Sequence, residues 1–172
     1  VDNMAANHTN RGTVSIYAGS ANGYATEVTW SLDGFYTHTN SDQLGWFVTD
    51  AGDFDADGFP DVAVASRNDD KPGNFNNSNF APDTPCTGSS NNSGSVLIFR
   101  SDGEKLLTDQ AAFIWYGAQS GQVLDRIAAG IDINGDGLGD LACGDSRPDA
   151  VADFTIPGSP SVRIFTGSLS PI

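Results

Sequence analysis

Short runs of alternating apolar and polar residues, rich in β-branched and aromatic side chains, recur along the chain and are separated by Gly, Asn, Asp, Ser and Pro clusters. That is the pattern of strands with one face buried, bounded by turns. It predicts strands at 13–17, 26–32, 44–49, 61–66, 95–99, 111–116, 123–130, 140–144 and 161–166. No stretch carries a sustained helical period. Gln110–Trp115 has the composition for one turn of helix, but Phe113-Ile-Trp-Tyr116 favours a strand.

The pattern repeats. Gly12-Thr-Val-Ser-Ile-Tyr17 returns as Gly94-Ser-Val-Leu-Ile-Phe99 and again as Pro160-Ser-Val-Arg-Ile-Phe165, and each copy reads as a half-buried strand. A second segment, Asp53-Phe-Asp-Ala-Asp-Gly-Phe-Pro-Asp61 followed by Val-Ala-Val-Ala, returns as Asp132-Ile-Asn-Gly-Asp-Gly-Leu-Gly-Asp140 followed by Leu-Ala-Cys-Gly. These periods group the strands as four, four and one more. Tandem four-stranded antiparallel units are the sequence signature of propeller blades. The expected fold is therefore all-β, with two four-stranded antiparallel propeller-like blades plus an extra strand. Residues 1–11 form an N-terminal arm ahead of a single domain, 12–172. Repeat one spans 12–93, including a long exposed loop inserted at 68–93; repeat two spans 94–159; the extra strand and tail span 160–172.

The two acidic segments carry the candidate chemistry. Each concentrates four oxygen-bearing side chains within nine residues, which repel one another unless a cation sits among them. Hard oxygen donors in a flexible loop select Ca²⁺ over transition metals. The expected ligands are Asp53, Asp55, Asp57 and Asp61 with the Phe59 carbonyl, and Asp132, Asn134, Asp136 and Asp140 with the Leu138 carbonyl. Gly58 and Gly137 stand where the chain must turn sharply. An EF-hand is the rival reading, but its twelfth position needs Glu and its flanks need helices. Here that position is Val64 or Cys143, and the flanks read as strands. The plainer alternative is an Asp-Gly turn with solvated acids.

Composition narrows the function. In 172 residues there are 8 Lys plus Arg against 22 Asp plus Glu, a formal charge of −14, which disfavours nucleic acid and anionic membrane surfaces. Two bound Ca²⁺ would reduce it to about −10 and couple folding to the metal. No apolar run approaches membrane-spanning length. Asn7, Asn76 and Asn91 head sequons, so N-glycosylation is expected if the protein passes through a eukaryotic secretory pathway. Cys86 and Cys143 suggest one disulfide in an oxidising compartment, and a buried free thiol at Cys143 is the equal alternative. A secreted, extracellular or cell-surface location fits these features. Neither His8 nor His38 has a motif partner, and no nucleophile elbow, zinc motif or phosphate loop is present, so the chain is expected to be non-catalytic.

The run Gly-x-Val-x-Ile-Tyr/Phe, with Asp-x-Asn-x-Asp-Gly-x-x-Asp before Leu-Ala-x-Gly, resembles the FG-GAP repeat of integrin α-subunits and other cell-surface proteins. The resemblance covers about 12–66, 94–144 and 160–167. Departures are Leu44-Gly45 and Leu124-Asp125 in place of Phe-Gly, and Ala65-Ser66-Arg67 and Gly144-Asp145-Ser146 in place of Gly-Ala-Pro. It implies a blade fold, structural Ca²⁺ and roles in adhesion or protein contact. Propellers have four to eight blades, so two leave faces and edges open. The expected function is a calcium-binding structural protein that self-associates into a homo-oligomer or helical polymer, by strand addition through 1–17. The alternative is an adhesion module binding an extracellular protein or glycan, excised from a larger propeller protein.

Overall fold

A computed structural model describes residues 11–34, 42–70, 92–101, 111–117, 121, 123–145 and 162–167. Every regular element in them is a strand. In chain order these are β1 (Thr13–Ile16), β2 (Gly19–Ser20), β3 (Gly23–Tyr24), β4 (Trp30–Asp33), β5 (Leu44–Gly52) and β6 (Asp61–Ser66). They continue with β7 (Ser95–Phe99), β8 (Phe113–Tyr116), β9 (Leu124–Ile131), β10 (Asp140–Asp145) and β11 (Val162–Phe165). All strand pairs within the sheets are antiparallel.

The sheets are β1-β4, β5-β6-β7-β8 and β9-β10-β11, with β2-β3 a small separate hairpin. The strands are close to those expected, but their grouping differs. The sequence periods put 13–17 through 61–66 in one unit and 95–99 through 140–144 in the next. Instead the four-stranded sheet takes the second half of one repeat and the first half of the next, so sheets and repeats are offset by half a period. The reason is visible at Gly12 and Gly94, each of which makes a parallel bridge to the leucine that opens the next sheet, Leu44 or Leu124. The amide of that leucine donates to the residue before the glycine: Leu44 to the Arg11 carbonyl, Leu124 to that of Ser93. Both glycines lie in the left-handed region, φ 79° and 71°, and a methyl on either would strike the leucine backbone. The chain therefore touches its successor sheet before pairing outward, and the repeat boundary is not a sheet boundary.

Alternation places the core on both faces of the four-stranded sheet. Val64, Leu97, Phe99, Ile114 and Tyr116 pack with Val14, Ile16, Trp30 and Leu32 of β1-β4. Ala63, Ala65, Val96 and Ile98 pack with Leu124, Ile127, Leu141 and Phe165 of the β9-β10-β11 side. Small alanines on the second face leave room for the larger partners. For β7 the half-buried expectation fails, since all five residues are buried, because it lies inside the middle sheet. β1 keeps one exposed face, with Val14 buried.

Two other expectations change. Residues 26–29 stand outside the strands, because β2-β3 turns the chain and only Trp30–Asp33 pairs with β1. Thr29 closes this excursion: its amide donates to the Ile16 carbonyl and its Oγ1 accepts from the Ala18 amide. The ends of the 68–93 insert are not exposed, since Asp69, Asp70 and Ser93 are buried, anchored to the ends of β6 and β7. The N-terminal arm to residue 10, Cys86 and the sequon residues Asn7, Asn76 and Asn91 lie outside the described residues. Cys143 is a free thiol, buried in the core, and burial pushes it up to about 12 although Arg163 pulls the other way.

Candidate metal centre

Asp53–Asp61 joins β5 to β6, and Asp132–Asp140 joins β9 to β10. Both loops fold on the same frame, built from carboxylates accepting backbone amides. In the first, Asp53 takes the amides of Asp57 and Gly58, each at 3.0 Å. In the second, Asp132 takes those of Asp136 at 3.0 Å and Gly137 at 2.9 Å, and also that of Gly135 at 2.6 Å. Asp55 and Asn134 accept from Asp57 and Asp136, and Asp57 and Asp136 accept from Phe59 and Leu138. Asp and Asn suit these places because a short oxygen-bearing side chain reaches back to the amide two residues on. Ala56 and Gly135, and Gly58 and Gly137, carry positive φ at matching places. The strain at Ala56, φ 64°, is held by the loop frame around it.

The ninth position fastens each loop to the rest of its sheet. Asp61 is 1 % exposed. Its Oδ2 accepts from the Phe54 amide at 2.9 Å and its Oδ1 from Ser101, past the end of β7, at 3.1 Å. Asp140, also buried, repeats both bonds with Ile133 at 2.7 Å and Gly167, past the end of β11, at 2.9 Å. The aspartate thus ties a hairpin turn to the third strand of the sheet. Burial pushes Asp61 up to about 6; the Phe54 and Ser101 amides oppose this, and Asp55 and Asp57 add to it.

Ligand oxygens of Asp53, Asp55 and Asp61 lie within 4.8 Å of one another. Calcium–oxygen distances of about 2.3–2.6 Å place ligands on opposite sides of an ion about 5 Å apart, so this donor set fits a hard cation. Asp57 is exposed, with one oxygen on the Phe59 amide. In the second loop the place of Asp55 is taken by Asn134, whose side-chain amide donates to Asp136 at 2.8 Å. The first loop instead pairs Asp55 with Arg100 at 3.3 Å. Four carboxylates and one guanidinium leave that loop at −3, the same charge as the three carboxylates of the second. The loops are neighbours: the Gly139 amide donates to the Asp53 carbonyl at 3.0 Å. Gly139 has room for no side chain there, since a methyl would collide with the Ala51 carbonyl.

Comparison with known proteins adds no family. No protein-family model matches the chain, and no curated protein matches it.

Three buried acids escaped the sequence reading: Asp42, Asp69 and Asp70. The one signal in the sequence was the Asp69-Asp70 pair three residues past the end of β6, in a segment whose composition reads as solvated loop; Asp42 carried none.

Proposed function

We propose that this chain is a non-catalytic, calcium-binding structural protein of the extracellular space, whose blade-like sheets associate with further copies into an oligomer or filament. The observation that supports it is the repetition of one loop frame, with six matching backbone-amide bonds, on two successive sheets. A solvated Asp-Gly turn does not require oxygen-bearing side chains at positions one, three, five and nine, Asp or Asn at the third and Asp at the others, to recur together. Asp53, Asp55, Asp57 and Asp61 would hold one ion with the Phe59 carbonyl, and Asp132, Asn134, Asp136 and Asp140 the other with that of Leu138. The metal supplies positive charge among carboxylates that otherwise repel. The chain's own part is to orient those oxygens and, through Asp61 and Asp140, to carry the restraint to the end of the third strand.

Association is supported by the sheet edges. Among the described residues β1 pairs only with β4, and β11 only with β10. Val162 and Ile164 on β11 are 72 % and 57 % exposed. An uncovered strand edge is a template for another strand. Light scattering and electron microscopy in Ca²⁺ and then in EGTA test this. Regular assemblies that dissolve in EGTA are expected; a folded monomer of 18.0 kDa in both conditions would refute it.

A further inference from the structure

Three acidic side chains are buried together at the end of the β5-β6-β7 sheet away from the Asp loop. Asp42 stands two residues before β5, and Asp69 and Asp70 follow β6. Their exposures are 0 %, 0 % and 5 %. Two of them are engaged: Ser95 Oγ donates to Asp69 Oδ2 at 2.5 Å, and the Asn92 amide donates to Asp70 Oδ1 at 2.6 Å. Asp42 is different. Its backbone carbonyl accepts from Ser66 Oγ at 2.8 Å and the Asn68 amide at 3.1 Å, which fixes the residue in place. Neither of its carboxyl oxygens has a hydrogen-bond partner.

The charged groups that face the Asp42 carboxyl are Asp69 and Asp70 from the β6–β7 connection and Arg11 from the approach to β1. Three carboxylates and one guanidinium sum to −2. A buried carboxylate with both oxygens bare is among the costliest groups a fold can hold, and folds remove that cost with a proton or a cation. Without a cation the proton wins: burial pushes Asp42 up to about 8, helped by Asp69 and Asp70 and opposed by Arg11.

We propose that Asp42, with Asp69 and Asp70, forms a third cation site, for a divalent ion that prefers oxygen ligands. The −2 charge matches such an ion, and the two bare oxygens of Asp42 are its first ligands. The site is looser than the Asp53 group, the one acidic group among the described residues whose ligand atoms all fall within 4.8 Å. The ion therefore draws Asp42 towards Asp69 or Asp70 and completes its shell with water. It pins the start of β5 to the turn after β6, at the opposite end of that strand pair from the Asp53 loop. This inference does not depend on the loops binding calcium.

Equilibrium dialysis with radioactive Ca²⁺ tests it on the full chain. Asp42→Asn is expected to bind one equivalent fewer than wild type, and the loop variant Asp57→Ala/Asp136→Ala to retain one equivalent. Equal stoichiometry in wild type and a folded Asp42→Asn would overturn the site. A loop variant that binds no Ca²⁺ would overturn it while leaving the loop sites standing.

Discussion

Replacing Asp61 with alanine removes the bond that fastens the first acidic loop to β7, and its cost is calculable without any metal. The side chain is 1 % exposed and accepts two backbone amides, from Phe54 at 2.9 Å and Ser101 at 3.1 Å. Alanine leaves both donors without the carboxylate and out of easy reach of water. Each orphaned buried donor costs about 1–3 kcal/mol, so the gross loss is about 2–6 kcal/mol. Part is returned, because the carboxylate is itself strained by burial and by Asp55 and Asp57, as its rise to about 6 records. The net expectation is therefore smaller, about 1–4 kcal/mol. Urea unfolding followed by tryptophan fluorescence in EGTA measures it. Asp57→Ala is the control: its one bond, to the Phe59 amide, is exposed, and its loss should cost below about 1 kcal/mol. Asp140→Ala should match Asp61→Ala, because its bonds to Ile133 and Gly167 repeat the arrangement. Equal losses for Asp57→Ala and Asp61→Ala in EGTA would refute the reasoning.

Asp42 predicts a pH dependence. Its pKa is raised to about 8 from an ordinary 3.8, so on raising the pH the unfolded chain ionises first and stability falls through that interval. In EGTA, Asp42→Asn should therefore be more stable than wild type at pH 8, with the gain shrinking to nothing by about pH 4 in urea titrations; a gain that is flat with pH contradicts this. Gly139→Ala should lower stability by about 1–3 kcal/mol or more, since the new methyl meets the Ala51 carbonyl; a thermal midpoint equal to wild type would count against the close approach of β5 and the second acidic loop. Arg100→Ala should cost only about 0.2–1 kcal/mol in EGTA, and less in high salt, because Arg100 is partly exposed where it pairs with Asp55. Cys143 should resist alkylation by iodoacetamide until the chain unfolds, being buried with its thiol pushed up to about 12; rapid labelling of the folded chain would show otherwise.

Most of the strands were readable in the sequence because alternation and β-branched composition are local properties. β6 and β7 were bounded closely, flanked as they are by Pro60 and Gly94. Sheet membership was not readable, because it depends on which edge a strand meets after each connection. The parallel bridges at Gly12 and Gly94 decide that over about thirty residues of sequence separation. The false strand at 26–29 has the composition of one, but β2-β3 consumes the chain length that pairing with β1 would need. The acidic loops were legible because their ligand spacing is local. The second bond of Asp61 was not, as its donor lies 40 residues away at Ser101. Asp42, Asp69 and Asp70 were missed for the same reason: burial of an acid is set by tertiary packing, and in sequence these residues look like solvated turns.

The central claim is that the two repeated loops are cation sites. Equilibrium dialysis of wild type and Asp57→Ala/Asp136→Ala against radioactive Ca²⁺, with circular dichroism to verify that both are folded, tests it most directly. The account predicts that the double variant loses two equivalents of bound Ca²⁺ per chain. An unchanged number of equivalents in a folded double variant would contradict it.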